Sequence, residues 1–182
     1  DMAQESVKIL KGKIDVAKVL ELLNAALSEE WLAYYQYWIG AKMVSGIERA
    51  DIASAFRRHA SDELAHAGKI IDRIIELEGV PVLTPGEWAL RATCAFEAPT
   101  SFDSEYLVKR MLANVQCAMQ RFEEMAQYTE DRDFITSMIV KKILSVEADH
   151  EEDLQNYLED IAALKNPEEA KKAEEAGEPE EE

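Results

Sequence analysis

Apolar residues recur at intervals of three and four over four long stretches of the chain, the spacing that lines up one face of an α-helix. The first stretch, about 15–45, carries Val16, Leu20, Leu23, Leu27, Tyr34 and Trp38, with Asp15 placed to cap its start and Gly46 to end it. The second, about 49–78, carries Ile52, Phe56, Ile70, Ile74 and Leu77 and stops at Gly79 and Pro81. The third, about 102–128, uses Val108, Met111, Val115, Ala118, Phe122 and Met125; the fourth starts at Asp131 or Asp133, uses Val140, Ile143, Leu154 and Ile161, and ends near Leu164. A short lead, 6–14, reads as extended. Residues 80–102 form the one long connection, with Pro81, Pro85, Gly86 and Pro99, and Thr84-Pro85 can start a short helix around Trp88. At roughly 3.3 Å per extended residue this connection can run the length of a bundle. The pattern predicts an all-α fold of two helical hairpins joined by a long crossover between helices two and three. Residues 1–166 form this four-helix domain, and 167–182, nearly all Glu, Ala, Lys, Gly and Pro, form a disordered acidic tail. The tail is read as solubilising, with weak cation collection as the alternative.

The apolar stripes are interrupted by groups that do not belong in a core. Glu30 fills the gap between Leu27 and Tyr34, while Glu63-Leu64-Ala65-His66 and Glu147-Ala148-Asp149-His150 each set a carboxylate and an imidazole three apart on one helix face. Two of the chain's three histidines end such a Glu-x-x-His. One of these motifs arises on surface helices by chance; two in apolar stripes, with Glu30, are a specific signal. Closing the first hairpin near residue 47 brings Glu30, seventeen residues before it, level with Glu63, sixteen after it. The second hairpin, closed near residue 131, sets Glu147 level with Val115. A buried salt-bridged network is the bland alternative, but three carboxylates with no inward Lys or Arg leave like charges that a cation would neutralise. Oxygen and imidazole donors together suit iron or manganese and accept zinc. Tyr34 and Tyr37 follow Glu30 by one and two turns and can orient ligands, although Tyr34 reads better as an ordinary core aromatic. His59, one turn before Glu63, reads as a surface or interface residue.

Composition narrows the function. Across 182 residues the net charge is −17, which argues against binding a nucleic-acid backbone and is compatible with attracting cations. No apolar run approaches the roughly 20 residues of a membrane span and no signal peptide is visible, so a soluble, cytoplasmic protein is expected; Asp1 before Met2 reads as an expression remnant. Two cysteines, Cys94 and Cys117, are too few for a disulfide scaffold.

The stretch Glu29-Glu30-Trp31-Leu32-Ala33-Tyr34-Tyr35-Gln36-Tyr37, the two Glu-x-x-His pairs and Ile75-Glu76-Leu77-Glu78-Gly79-Val80-Pro81 together resemble bacterioferritins and, more closely, the Dps-like proteins of archaea and anaerobic bacteria, over Glu5 to Leu164. The cysteine pair and the lack of a fifth helix are similar to the Dps-like branch. Leu64 stands where bacterioferritins place a haem-ligating methionine, so no haem is expected. The resemblance implies a ferritin-like homo-oligomeric cage, usually of twelve subunits. Such a cage oxidises Fe(II) with hydrogen peroxide at an intrasubunit dinuclear site, a ferroxidase-type oxidoreductase, and stores the ferric product. Carried onto this chain, Glu30 and His66 hold the first metal, Glu63 and Glu147 bridge, and His150 holds the second. The family's third-helix carboxylate falls on Val115. Asn114 and Gln116 are turned roughly 100° away on the helix, and Glu123 and Glu124 are about two turns distant. The expectation is therefore one or two irons per subunit, with the second weak. The alternative function is a protein that binds mainly one metal, oxidises poorly and serves in peroxide defence or metal binding. No Cys-x-x-Cys is present for a rubrerythrin-type electron-transfer iron. Cys117 lies roughly 200° around the helix from Val115, facing away from the metal stripe toward the crossover that carries Cys94. The pair is expected within disulfide reach, with two separate buried thiols as the alternative.

Overall fold

The protein is described from a computed structural model covering residues 5–167; the expected acidic tail beyond Pro167 lies outside the described residues. Six α-helices run in the order α1 Glu5–Lys8, α2 Val16–Met43, α3 Arg49–Glu76, α4 Trp88–Arg91, α5 Ser104–Thr129 and α6 Phe134–Lys165, with a 3₁₀ turn, Pro85–Glu87, leading into α4. The four long ones form the bundle, α2 paired with α3 and α5 with α6. Their starts are set by local chemistry. Asp15 accepts from the Lys18 amide (3.1 Å), Asp103 from Glu105 and Asp133 from Thr136, so each carboxylate satisfies an amide that has no partner inside its helix. Pro85 opens the short helical segment, as Thr84-Pro85 led one to expect.

The crossover spans the bundle. It leaves α3 beside the start of α2, where a Cβ on Gly79 would fall 2.4 Å from the Leu20 side chain, and rejoins beside the end of α2. There Ser45 N–H donates to the Phe102 carbonyl (2.9 Å) and Ser104 N–H to the Ser45 carbonyl (2.8 Å). That close pairing is the one isolated β-bridge among the described residues, and Gly46 supports it with a positive φ of 94°. The core is in two parts. One contains Leu23, Leu27, Ile70, Ile74, Phe122 and Ile143; the other contains Tyr37, Ile52, Phe56, Val108, Met111 and Leu154.

Three expectations change. The N-terminal lead is not extended: Glu5–Lys8 is a helical turn, and the turns after it drop Leu10 into the first core cluster. Trp38 is not inward but 42% exposed, stacked on Tyr34 with Lys42 over its ring. Seven residues on from Glu30 is nearly two whole turns, whereas eight adds roughly 80°, so Tyr37 takes the inward place. An inward arginine does exist. Arg73 is 1% exposed and bonds Thr136 Oγ1 (2.8 Å), Asp133 Oδ1 (2.8 Å) and Glu76 Oε2 (3.0 Å). Its charge is matched by Asp133 and leaves the central carboxylates unneutralised.

Candidate metal centre

Between the two apolar clusters lies a polar layer. Glu30 reaches it from α2, Glu63 and His66 from α3, Glu147 and His150 from α6, and each is no more than 2% exposed. The register is the one expected from counting outward from the hairpin turns. Donor atoms of Glu30, Glu63, His66 and Glu147 all lie within 4.8 Å of one another. His66 Nδ1 is 3.1 Å from Glu30 Oε2, 3.3 Å from Glu147 Oε1 and 3.5 Å from Glu63 Oε2. His150 Nδ1 lies 3.5 Å from Glu63 Oε1 and 3.5 Å from Glu147 Oε2. Glu63 and Glu147 thus each turn one oxygen to His66 and the other to His150. That is the arrangement of two carboxylates spanning two adjacent positions.

The layer is electrostatically unfinished. Burial pushes the Glu30 carboxyl well above the usual carboxylate range, with the Glu63 charge adding to the push. Burial also acts against the Glu63 carboxylate, but the His150 and His66 rings beside it outweigh that and hold the group down at about 2. The two imidazoles are disfavoured as cations by burial, yet the Glu147, Glu30 and Glu63 acceptors push His66 up to about 12, and Glu147 and Glu63 push His150 up to about 10. Protons therefore occupy the layer at neutral pH in place of other cations. They do not satisfy it: Glu147 Oε1 and His150 Nδ1 are buried without an aligned hydrogen bond. A carboxylate–imidazole set buried in the bundle core fits divalent metal ions.

The partners behind these groups are the residues that sequence reasoning missed. Asp62 accepts from His150 Nε2 (3.1 Å), which leaves Nδ1 facing the Glu63 and Glu147 carboxylates. His59, expected at the surface, is fully buried. Its ring stacks on His150 with centroids 3.9 Å apart, and its Nε2 lies 3.1 Å from Asp153, which also pairs with Arg58. Burial, then the neighbouring His150 charge, lowers His59 to about 4, so it is a neutral plate that fixes the His150 ring. The signal was present: four residues before Glu63 is the same helix face. Tyr34 is half-buried in the outer aromatic stack, whereas Tyr37 is buried between Phe56 and His59, with its hydroxyl unpartnered.

Val115 is buried and lines the same pocket as Glu30, Glu63 and Glu147. None of its neighbours replaces a carboxylate: Asn114 bonds Gln36 (2.8 Å), Gln116 bonds Glu151 (2.8 Å), and Glu123 and Glu124 are exposed. The crossover covers this side. Cys94 and Cys117 form a disulfide, Cα–Cα 5.9 Å, on the outer side of α5 as expected. Glu29, beside Glu30 in sequence, ties the same strap with Oε1, accepting from the Thr93 and Cys94 amides (2.6 and 3.0 Å), while Oε2 pairs with Arg121.

Comparison with known proteins agrees with this geometry. The ferritin-like domain family matches residues 20–164. The DNA protection during starvation protein of Pyrococcus furiosus is 32% identical over 142 residues, 76% of this chain and 75% of that protein. A bacterioferritin from Rhodobacter capsulatus is 45% identical over 67 residues, 37% of this chain and only 42% of its own length. Among solved structures, the bacterioferritin-related protein of Bacteroides fragilis, described as a dodecameric thioferritin, superposes with a TM-score of 0.88 at 53% identity over 90% of this chain and 97% of that one. On the matched domain, and on a bundle that carries carboxylates and histidines at one level of its core, the chain belongs to the ferritin-like family, with both Dps proteins and bacterioferritins among its relatives.

Proposed function

We propose that the protein binds Fe(II) at the central layer, oxidises it, and stores the ferric product in an oligomeric cage. The observation that carries this reading is the pairing of Glu63 and Glu147, each with one oxygen toward His66 and one toward His150. Two irons held side by side release two electrons together, which matches the two that hydrogen peroxide takes in forming water. In this reading Glu30 and His66 hold the first iron, His150 holds the second, and the two carboxylates bridge. Iron is substrate and cargo here. Binding it displaces the protons held by His66 and His150, and Asp62 keeps His150 Nδ1 turned inward. The cage is supported by the Bacteroides fragilis relative, described as dodecameric, and by large apolar side chains left exposed on a single chain, among them Leu64, Ile75, Phe134 and Met138. Manganese and zinc suit the same donors. Leu64, outward on α3, carries no atom that could ligate haem iron. Among the described residues no helix is long and apolar enough to cross a membrane.

Val115 supports a second reading, in which one metal per subunit binds well and the second weakly, with slow oxidation. Anaerobic Fe(II) titration followed by stoichiometric peroxide tests both. Two irons oxidised per peroxide, with the product retained by the protein, supports storage; one tight iron and slow turnover supports the second reading. Loss of iron binding in Glu63→Gln and Glu147→Gln is expected under either, and unchanged binding in both variants rules out the central layer.

A further inference from the structure

Beside the central layer lies a pocket of about 500 Å³, counted to its open mouth, whose inner wall includes Glu30, Glu63, Glu147 and Val115. The wall next to Val115 is apolar, formed by Ala33, Met111 and Ala118, and the crossover residues Cys94, Ala95 and Phe96 roof it. Gln36 and Asn114, bonded to each other (2.8 Å), and Tyr37 bring polar groups to the same pocket. Tyr37 lines the pocket, is 2% exposed, and has a hydroxyl with no hydrogen-bond partner. A buried, unused O–H is uncommon, because a donor taken out of water without a new partner loses the bond it made there. Burial and the neighbouring Glu63 and Glu147 charges raise its pKa well above the ordinary tyrosine value, so it stays a donor.

We propose that this pocket binds a small monocarboxylate of acetate size, with its methyl group against Val115 and Ala118 and its carboxylate between the Tyr37 hydroxyl and the metal layer at Glu63 and Glu147. The inference rests on the metal-binding reading above. Three lines of chemistry converge on the ligand. The pocket carries an apolar patch, Ala33, Met111, Val115 and Ala118, which suits a methyl group. The Tyr37 hydroxyl is a donor without a partner, and a carboxylate oxygen can accept from it. The third is charge: two dications against Glu30, Glu63 and Glu147 leave one formal positive charge, which a monoanion cancels and a water molecule does not. A carboxylate on the third helix would supply the same group covalently; Val115 leaves that space to a separate molecule. Without metal the layer holds three acidic side chains, so the site should take the anion only once metal is bound.

Cobalt(II) reports this without redox chemistry. The purified oligomer is titrated with Co(II) in sodium chloride and in sodium acetate at matched pH and ionic strength, reading visible absorption and metal bound at equilibrium. Acetate is expected to tighten the second Co(II) at least roughly tenfold, the gain of one charge-assisted contact, and to leave the first unchanged. Weak complexation of free Co(II) by acetate works against this direction, so a gain reports the protein. The ¹³C methyl signal of labelled acetate should broaden more with two Co(II) bound than with one. Val115→Glu should bind two Co(II) in chloride and lose the acetate response. Val115→Ala, which adds no charge, should keep that response, and Tyr37→Phe should weaken it several-fold. If acetate leaves the second Co(II) unchanged while Val115→Glu binds two, the pocket proposal fails and the ligand reading stands. If the unmodified protein binds two Co(II) equally tightly in chloride, the reading of Val115 fails and the proposal falls with it.

Discussion

In the proposed reading, the second metal position turns on Val115. Its isopropyl group is buried, lines the same pocket as Glu63 and Glu147, and can neither ligate nor balance a cation. Restoring a carboxylate by Val115→Glu is expected to raise second-site Fe(II) occupancy and the oxidation rate together, measured by anaerobic titration and stopped-flow absorbance. A change in neither removes residue 115 from the centre. The imidazoles give a second expectation. His66 and His150, pushed up to about 12 and about 10, hold protons that a metal must displace. Metal affinity should therefore rise with pH through neutrality toward about 10, and binding should release about two protons when both positions fill. The sign follows because the metal-free form carries more protons than the loaded form throughout that range. Calorimetry in buffers of different ionisation enthalpy measures the number. The convergence of Glu30, Glu63, His66, Glu147 and His150 in one buried layer was legible because a charged group in an apolar stripe contradicts the pattern around it. His59 and Asp62 were not, since a supporting partner contradicts nothing; only the contact with His150 reveals it.

At the scale of the helices, the lower end of the bundle is fixed by Arg73. It joins α3 to the start of α6 through Asp133, which also caps α6. With both partners 1% exposed, Arg73→Ala leaves the Asp133 charge buried and unpaired, and a loss of about 3–5 kcal/mol in chemical denaturation is expected. Arg73→Met, which keeps the volume, should lose less in combination with Asp133→Asn than alone, since the double variant removes the orphaned charge. The crossover is held twice, by the disulfide and by Glu29. A bridge closing 23 residues is worth about 3 kcal/mol, so Cys94→Ser with Cys117→Ser should lower stability by that order and leave the strap seated. Adding Glu29→Ala should free it, seen as faster amide exchange at Thr93 and Cys94. Caps and helix extents could be read from the chain, because Asp15, Asp133 and Gly46 act on their own neighbours. Arg73 and Trp38 could not be read in the same way. Whether a long polar or aromatic side chain turns inward depends on a partner from a distant helix, or on a difference of roughly 80° around the axis that a stripe of period three and four blurs.

For the whole molecule, the decisive point is that every candidate ligand comes from one chain. Metal binding and assembly are then separable, and each can be lost alone. The single chain leaves Phe134 and Met138, 70% and 65% exposed, one turn apart at the start of α6. A patch of that kind on a protein with a net charge of −17 is better covered by another subunit than by water. Light scattering is expected to give a particle of about twelve times 20.6 kDa. Phe134→Asp with Met138→Asp should break it into smaller species, because the change sets charge on a face that must lose water to pack. Those species should still bind metal at Glu30, Glu63, His66, Glu147 and His150, since the layer lies inside one bundle, far along α6 from the substituted turn. They should not retain a ferric core, which needs an enclosed cavity rather than a site. If the double variant loses metal binding while its helicity and thermal transition are unchanged, the centre depends on assembly and the intrasubunit assignment is wrong. A monomeric unmodified protein that nonetheless keeps many irons per chain would refute the cage.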